Sequence, residues 1–183
     1  RPGCDMKIAA ILTGFLVALV LFRPADSYQV TGMKYDHLAI TYSCGDGTLR
    51  DAVKMWADVS GLQDGGCSQT PDIVLYLPST WPYDPNAIGW AAYSSTDGHT
   101  IRQCTLAIRP DSVGYIGVYL HEVGHCLGSS HSEVSESAMW PYCCHWLAPD
   151  DIAMVQSLYG TNEAQTQTAE TAFRAAIPML AAD

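Results

Sequence analysis

The chain has 183 residues, 48% hydrophobic and 15% charged, with a formal net charge of −10 and a sequence pI near 4.8. That length suits one domain with a real core. The negative charge argues against nucleic acid and anionic membrane as partners, because both would repel it.

In chain order, Lys7 precedes an apolar run from Ile8 to Phe22 broken only by Thr13 and Gly14, and Ala25-Asp26-Ser27 follows as a small-x-small site. This pattern predicts a secretory signal peptide over residues 1–27, cleaved after Ser27. Met6 suits a start codon, which would make Arg1 to Asp5 a gene-model extension. A membrane anchor is the alternative, but the run is short for ~30 Å of hydrocarbon. Residues 28–36 are expected to form an N-terminal arm. Leu38 to Tyr42 is expected as a strand, and Gly45-Asp46-Gly47 as a turn. Thr48 and Asp51 have capping-box spacing. Leu49, Ala52, Val53, Trp56 and Val59 follow at helical spacing, and Gly61 stops the helix. Asp64-Gly65-Gly66 is expected as loop. Ile73 to Leu77, Ala87 to Tyr93 and Ile101 to Ile108 are expected as strands. Asp111-Ser112 should cap a buried helix over residues 113–127, with Tyr115 and Tyr119 packed. Pro149 suits the first turn of a last helix, in which Ile152, Val155 and Leu158 face inward and Gly160 ends the element. Residues 161–183 are expected as a mobile tail.

The chemistry lies in His121-Glu122-Val123-Gly124-His125-Cys126-Leu127-Gly128-Ser129-Ser130-His131, which reads H-E-x-x-H-x-x-G-x-x-H. Residues four apart share a helix face, so His121 and His125 can grip one cation. Glu122 stands beside them, placed to touch water at the metal rather than the metal itself. Gly128 accepts the left-handed backbone that would turn the chain back and bring His131 round as third ligand. Three nitrogens leave one tetrahedral position of a zinc ion open, the catalytic arrangement. Met139 follows eight residues after His131, in Ser137-Ala138-Met139-Trp140. Cys44, Cys67, Cys104, Cys126, Cys143 and Cys144 would remain after signal cleavage. Six cysteines suggest three disulfides with fifteen possible pairings, among which the sequence does not choose. A bridge from Cys126 to the segment after Met139 would pin the helix to that turn.

With these motifs, residues 35 to 160 resemble the catalytic domain of matrixins, a branch of the metzincin zinc proteases. Ser132 is similar to the residue that follows the third histidine there. Ser137-Ala138-Met139-Trp140-Pro141 resembles their Met-turn, Pro149-Asp150-Asp151-Ile152 with Gln156-Ser157-Leu158-Tyr159-Gly160 their closing helix, and Pro71-Asp72-Ile73-Val74-Leu75 their central strand. The resemblance implies an α+β fold: a twisted, mostly parallel sheet with an antiparallel edge strand, an active-site helix and a C-terminal helix. It implies a secreted zinc endopeptidase using one Zn2+ on His121, His125 and His131. Glu122 is the general base, and Met139 is a floor rather than a ligand. Gly89, Trp90 and Ala91 would lie on the edge strand along which substrate adds, and Pro141 and Tyr142 on the pocket wall. A second, structural zinc is not expected, because only Asp84 and His99 remain as candidates. Calcium near Asp97 lacks a recognisable ligand run. The expected partner is a peptide or protein substrate, with no nucleic acid, no stable membrane association and a monomeric state. A zinc-binding pseudoprotease acting as a secreted binding module is the alternative; Glu122, which such a protein would lack, discriminates.

Overall fold

The computed structural model describes residues 27–142 and 145–162. Residues 1–26, Cys143, Cys144 and the tail from residue 163 lie outside them. Five strands form one sheet: β1 (Ala39–Ser43), β2 (Gln63–Ser68), β3 (Ile73–Tyr76), β4 (Gly89–Ser94) and β5 (Gln103–Ile108). Their order is β2-β1-β3-β5-β4, with every neighbouring pair parallel except β4 against β5. The expected mixed architecture is therefore present, with β4 as an antiparallel edge strand. Helices α1 (Gly47–Asp58), α2 (Ile116–Cys126) and α3 (Pro149–Tyr159) complete it. Among the described residues no helix is long and apolar enough to cross a membrane.

The core joins the sheet to α1 and α2. Leu49, Ala52, Val53 and Trp56 of α1 are buried at the spacing that one helix face requires. The Trp56 indole also donates to Leu120 O at 3.0 Å, so α1 fixes the height of α2. Nine of the eleven residues of α2 are buried, including His121 and Glu122.

Four local expectations need correction. Asp46, not Thr48, caps α1: its Oδ1 accepts from Leu49 N at 2.8 Å while Oδ2 takes the Tyr119 hydroxyl at 3.2 Å. One carboxylate thus serves two elements. Residues 63–68 are a strand rather than loop, because β1 offers them a parallel ladder. A Cβ on Gly65 would lie 2.9 Å from the Ile40 backbone, so glycine permits that approach. Asp111-Ser112 does not cap α2. Pro110–Ser112 forms a 3-10 turn, Gly114 takes φ +85°, and the helix starts only at Ile116, which leaves Val113 and Tyr115 exposed. Finally, Cys126 pairs with Cys104, and Cys44 with Cys67. The β5 partner reaches Cys126 because α2 packs across β5. The bridge therefore pins the helix to the sheet, not to the segment after Met139.

Candidate metal centre

α2 presents His121 and His125 one turn apart on one face. The exit from the helix is a Schellman turn: Ser129 N donates to Gly124 O and Gly128 N to His125 O, both at 3.0 Å, with Gly128 at φ +98°. A Cβ on Gly128 would also strike Met33 O, so the position excludes side chains on two grounds. The N-terminal arm holds this turn from outside. Thr31 N donates to Gly128 O and Ser130 N to Gln29 O, both at 2.9 Å, and Val30 bridges Ser129. The chain then reverses and delivers His131.

The possible ligand atoms of His121, His125 and His131 lie within 4.8 Å of one another. His121 Nδ1 lies 2.7 Å from Ala138 O and His125 Nδ1 lies 3.0 Å from Ser129 O. A carbonyl can only accept, so both Nδ1 atoms carry the proton and both Nε2 atoms present lone pairs. Those two Nε2 atoms stand 3.1 Å apart. Two lone pairs facing at that distance repel unless a cation lies between them. Burial reinforces the point: it holds His121 down at about 3, with the neighbouring His125 adding to the effect, and lowers His125 and His131 as well. The imidazoles are thus neutral, as metal ligands must be. The donor set fits zinc.

Below the histidines, Met139 is 1% exposed, and a Cβ on Gly124 would collide with its Sδ. Sequence reasoning gave no role to Asp151, which is 1% exposed. Its carboxylate accepts from Ser137 Oγ, Ala138 N, Met139 N and, at the start of α3, Ala148 N. The signal was present in the sequence, since a carboxylate at the third residue of a Pro-initiated helix is half of a capping box. A cleft of about 740 Å³ collects His121, Glu122, His125 and His131 with Gly89, Trp90, Ala91, Pro141 and Tyr142. The cleft is also lined by Thr31 of the arm, for which the sequence carried no signal. Trp90 is half-exposed, with its ring stacked on Tyr83.

Residues 78–160 match the matrixin family model. The chain carries a matrixin-like domain. The matched segment is thus similar to a family of zinc metalloendopeptidases. Metalloendoproteinase 4-MMP of Arabidopsis thaliana is 46% identical over 54 residues, 25% of this chain and 15% of that protein. Hatching enzyme of Paracentrotus lividus is 42% identical over 59 residues, 30% of this chain and 10% of that protein. Matrix metalloproteinase-19 of Homo sapiens is 51% identical over 45 residues, 22% and 9%. The chain thus spans a small part of each of these relatives, between 9% and 15% of their length.

Within the matrixin-like domain Glu122 is 6% exposed, and burial pushes its carboxyl up to about 8 from the ordinary 4.5. The folded, metal-free domain keeps this proton between pH 4.5 and 8, where the unfolded chain releases it. The resulting stability is complete below about 4.5 and is lost as pH rises through about 8. In zinc-free protein, Glu122→Gln, which cannot ionise, is expected to melt close to the parent at about pH 5 and clearly above it at about pH 9. A melting gap that fails to widen between those conditions would contradict the buried-acid assignment.

Proposed function

We propose that the domain is a secreted zinc-dependent endopeptidase that hydrolyses peptide bonds of extracellular proteins, with residues 1–27 as its signal peptide and the mature chain monomeric. The observation that carries this reading is the pair of Nε2 lone pairs converging at 3.1 Å beside a buried carboxyl, in a cleft bordered by an open sheet edge. His121, His125 and His131 would hold the zinc. The chemistry supplied by a zinc ion held there is Lewis acidity, which makes water acidic enough to act as a nucleophile near neutral pH.

The chain's own groups do the rest. Arg109 N donates to Ile88 O, so Ile88 and its alternates Trp90 and Ala92 face β5. Gly89, Ala91 and Tyr93 then offer their N–H and C=O to the open side, where an extended peptide can add as a strand. Glu122 takes a proton from the attacking water as the C–O bond forms. It returns that proton to the departing amine as the C–N bond breaks. Ala138 O keeps His121 in the tautomer that frees Nε2. Pro141 and Tyr142 border the cleft as wall for the residue after the scissile bond, and Tyr142, 79% exposed, can move to suit it.

The test is hydrolysis of a broad peptide library by the purified, oxidised mature chain, with zinc counted. One zinc per chain is expected, and a strong chelator should remove at least about 100-fold of the activity, restored by zinc. Zinc-free protein that cleaves equally well, or protein that takes up no zinc, would sink the proposal.

A further inference from the structure

Gly89 opens β4 opposite Ile108 and is buried. Its backbone is not in the left-handed region, so no turn or bulge demands glycine there. The demand is for space. A Cβ on Gly89 would meet three atoms first, all of Glu122: Oε1, then Cγ at 2.6 Å and Cδ at 2.7 Å. Neither element can step back. The start of β4 is pinned by Arg109, whose N donates to Ile88 O at 3.0 Å and whose Nη1 reaches Pro85 O at 3.1 Å. Glu122 sits on α2 between fully buried neighbours, with Leu120 and Val123 both at 0% exposure. The side chain of Glu122 is the part free to yield.

We propose that Gly89 is a positioning residue for Glu122: the missing side chain on the edge strand leaves the space in which the carboxyl stands beside the imidazole pair. This rests on the reading of Glu122 as general base. The strand that aligns the substrate also sets the place of the base, in direct van der Waals contact with it. A methyl group at Gly89 would swing the carboxyl away while leaving the strand's open N–H and C=O groups where they are.

The experiment compares the parent, Gly89→Ala, Glu122→Ala and the double variant. In zinc-free protein, Gly89→Ala should lower the melting midpoint by about 5 °C in the parent, from overpacking, and by under about 1 °C in the Glu122→Ala background, where the clash is gone. Equal losses in both backgrounds would overturn the proposal, since Gly89 would then serve the strand and not Glu122. Because the double variant lacks the clash, the comparison survives poor folding of Gly89→Ala alone. With zinc, Gly89→Ala should keep one ion per chain and a KM within about threefold, and lose about 100-fold in kcat. A kcat within about threefold of the parent would also overturn it. Full activity in Glu122→Ala would be a different failure, removing the base reading and the catalytic half of this role with it.

Discussion

Replacing Asp151 by alanine is expected to cost about 4 kcal/mol of folding stability and 10–100-fold in zinc affinity. The reason lies in the number of partners on one buried carboxylate. Ser137 Oγ, Ala138 N, Met139 N and Ala148 N all donate to it, and three of these belong to the turn under the histidines. Each orphaned donor costs about 1–3 kcal/mol, softened where water enters the cavity. The affinity loss follows one bond further on. The peptide that joins Ala138 to Met139 donates the Met139 N–H to Asp151 Oδ1 at 3.2 Å and presents the Ala138 C=O to His121 Nδ1 at 2.7 Å. Releasing that peptide frees the ring to rotate or change tautomer. Denaturant melts and competitive zinc titration measure the two effects. Stability within about 1 kcal/mol of the parent would show that the carboxylate is not the tie described.

Glu122→Gln is expected to reduce kcat by about 10³-fold with one zinc still bound, because the amide keeps size and burial but cannot accept the proton. The surviving activity should lose the pH dependence that belongs to this carboxyl. A fall in zinc content parallel to the fall in activity would instead make Glu122 a structural support of the site. Activity within tenfold of the parent would remove it from the reaction.

The parts of this molecule that could be read along the chain are those in which neighbours in sequence are also neighbours in space. The spacing of His121, His125 and His131 needs only one helix and one glycine turn, and the inward stripe of α1 needs only its own periodicity. α3 instead buries Asp151, Met154, Val155 and Tyr159, and of the expected Ile152, Val155 and Leu158 only Val155 is fully covered, because the Asp151 cap turns the helix by its own contacts. β2 was hidden because glycine and polar residues form its ladder, and only β1 lying alongside makes them a strand. The partner of Cys126 depends on α2 crossing β5, a tertiary fact with no local trace. Asp46, expected only as a turn residue, caps α1 in place of Thr48, and the hydroxyl of Tyr119, far along the chain, gives Asp46 its second bond. Gly61 was legible as a stop signal, but its sharper constraint is distant: a Cβ there would strike Tyr159 O at the end of α3.

The arm that grips the turn before His131 has a kinetic consequence. Thr31 meets Gly128 across 97 residues, and Tyr35 meets Tyr159 across 124. Contacts of that separation close the largest loops and form late, after local helices and hairpins. The floor beneath the histidines depends on Asp151, still closer to the far end of the domain. During synthesis the histidines of α2 leave the ribosome before the chain that will orient them. A growing chain therefore holds no complete histidine cluster until α3 arrives, and the convergence of His121, His125 and His131 is the last property the fold acquires.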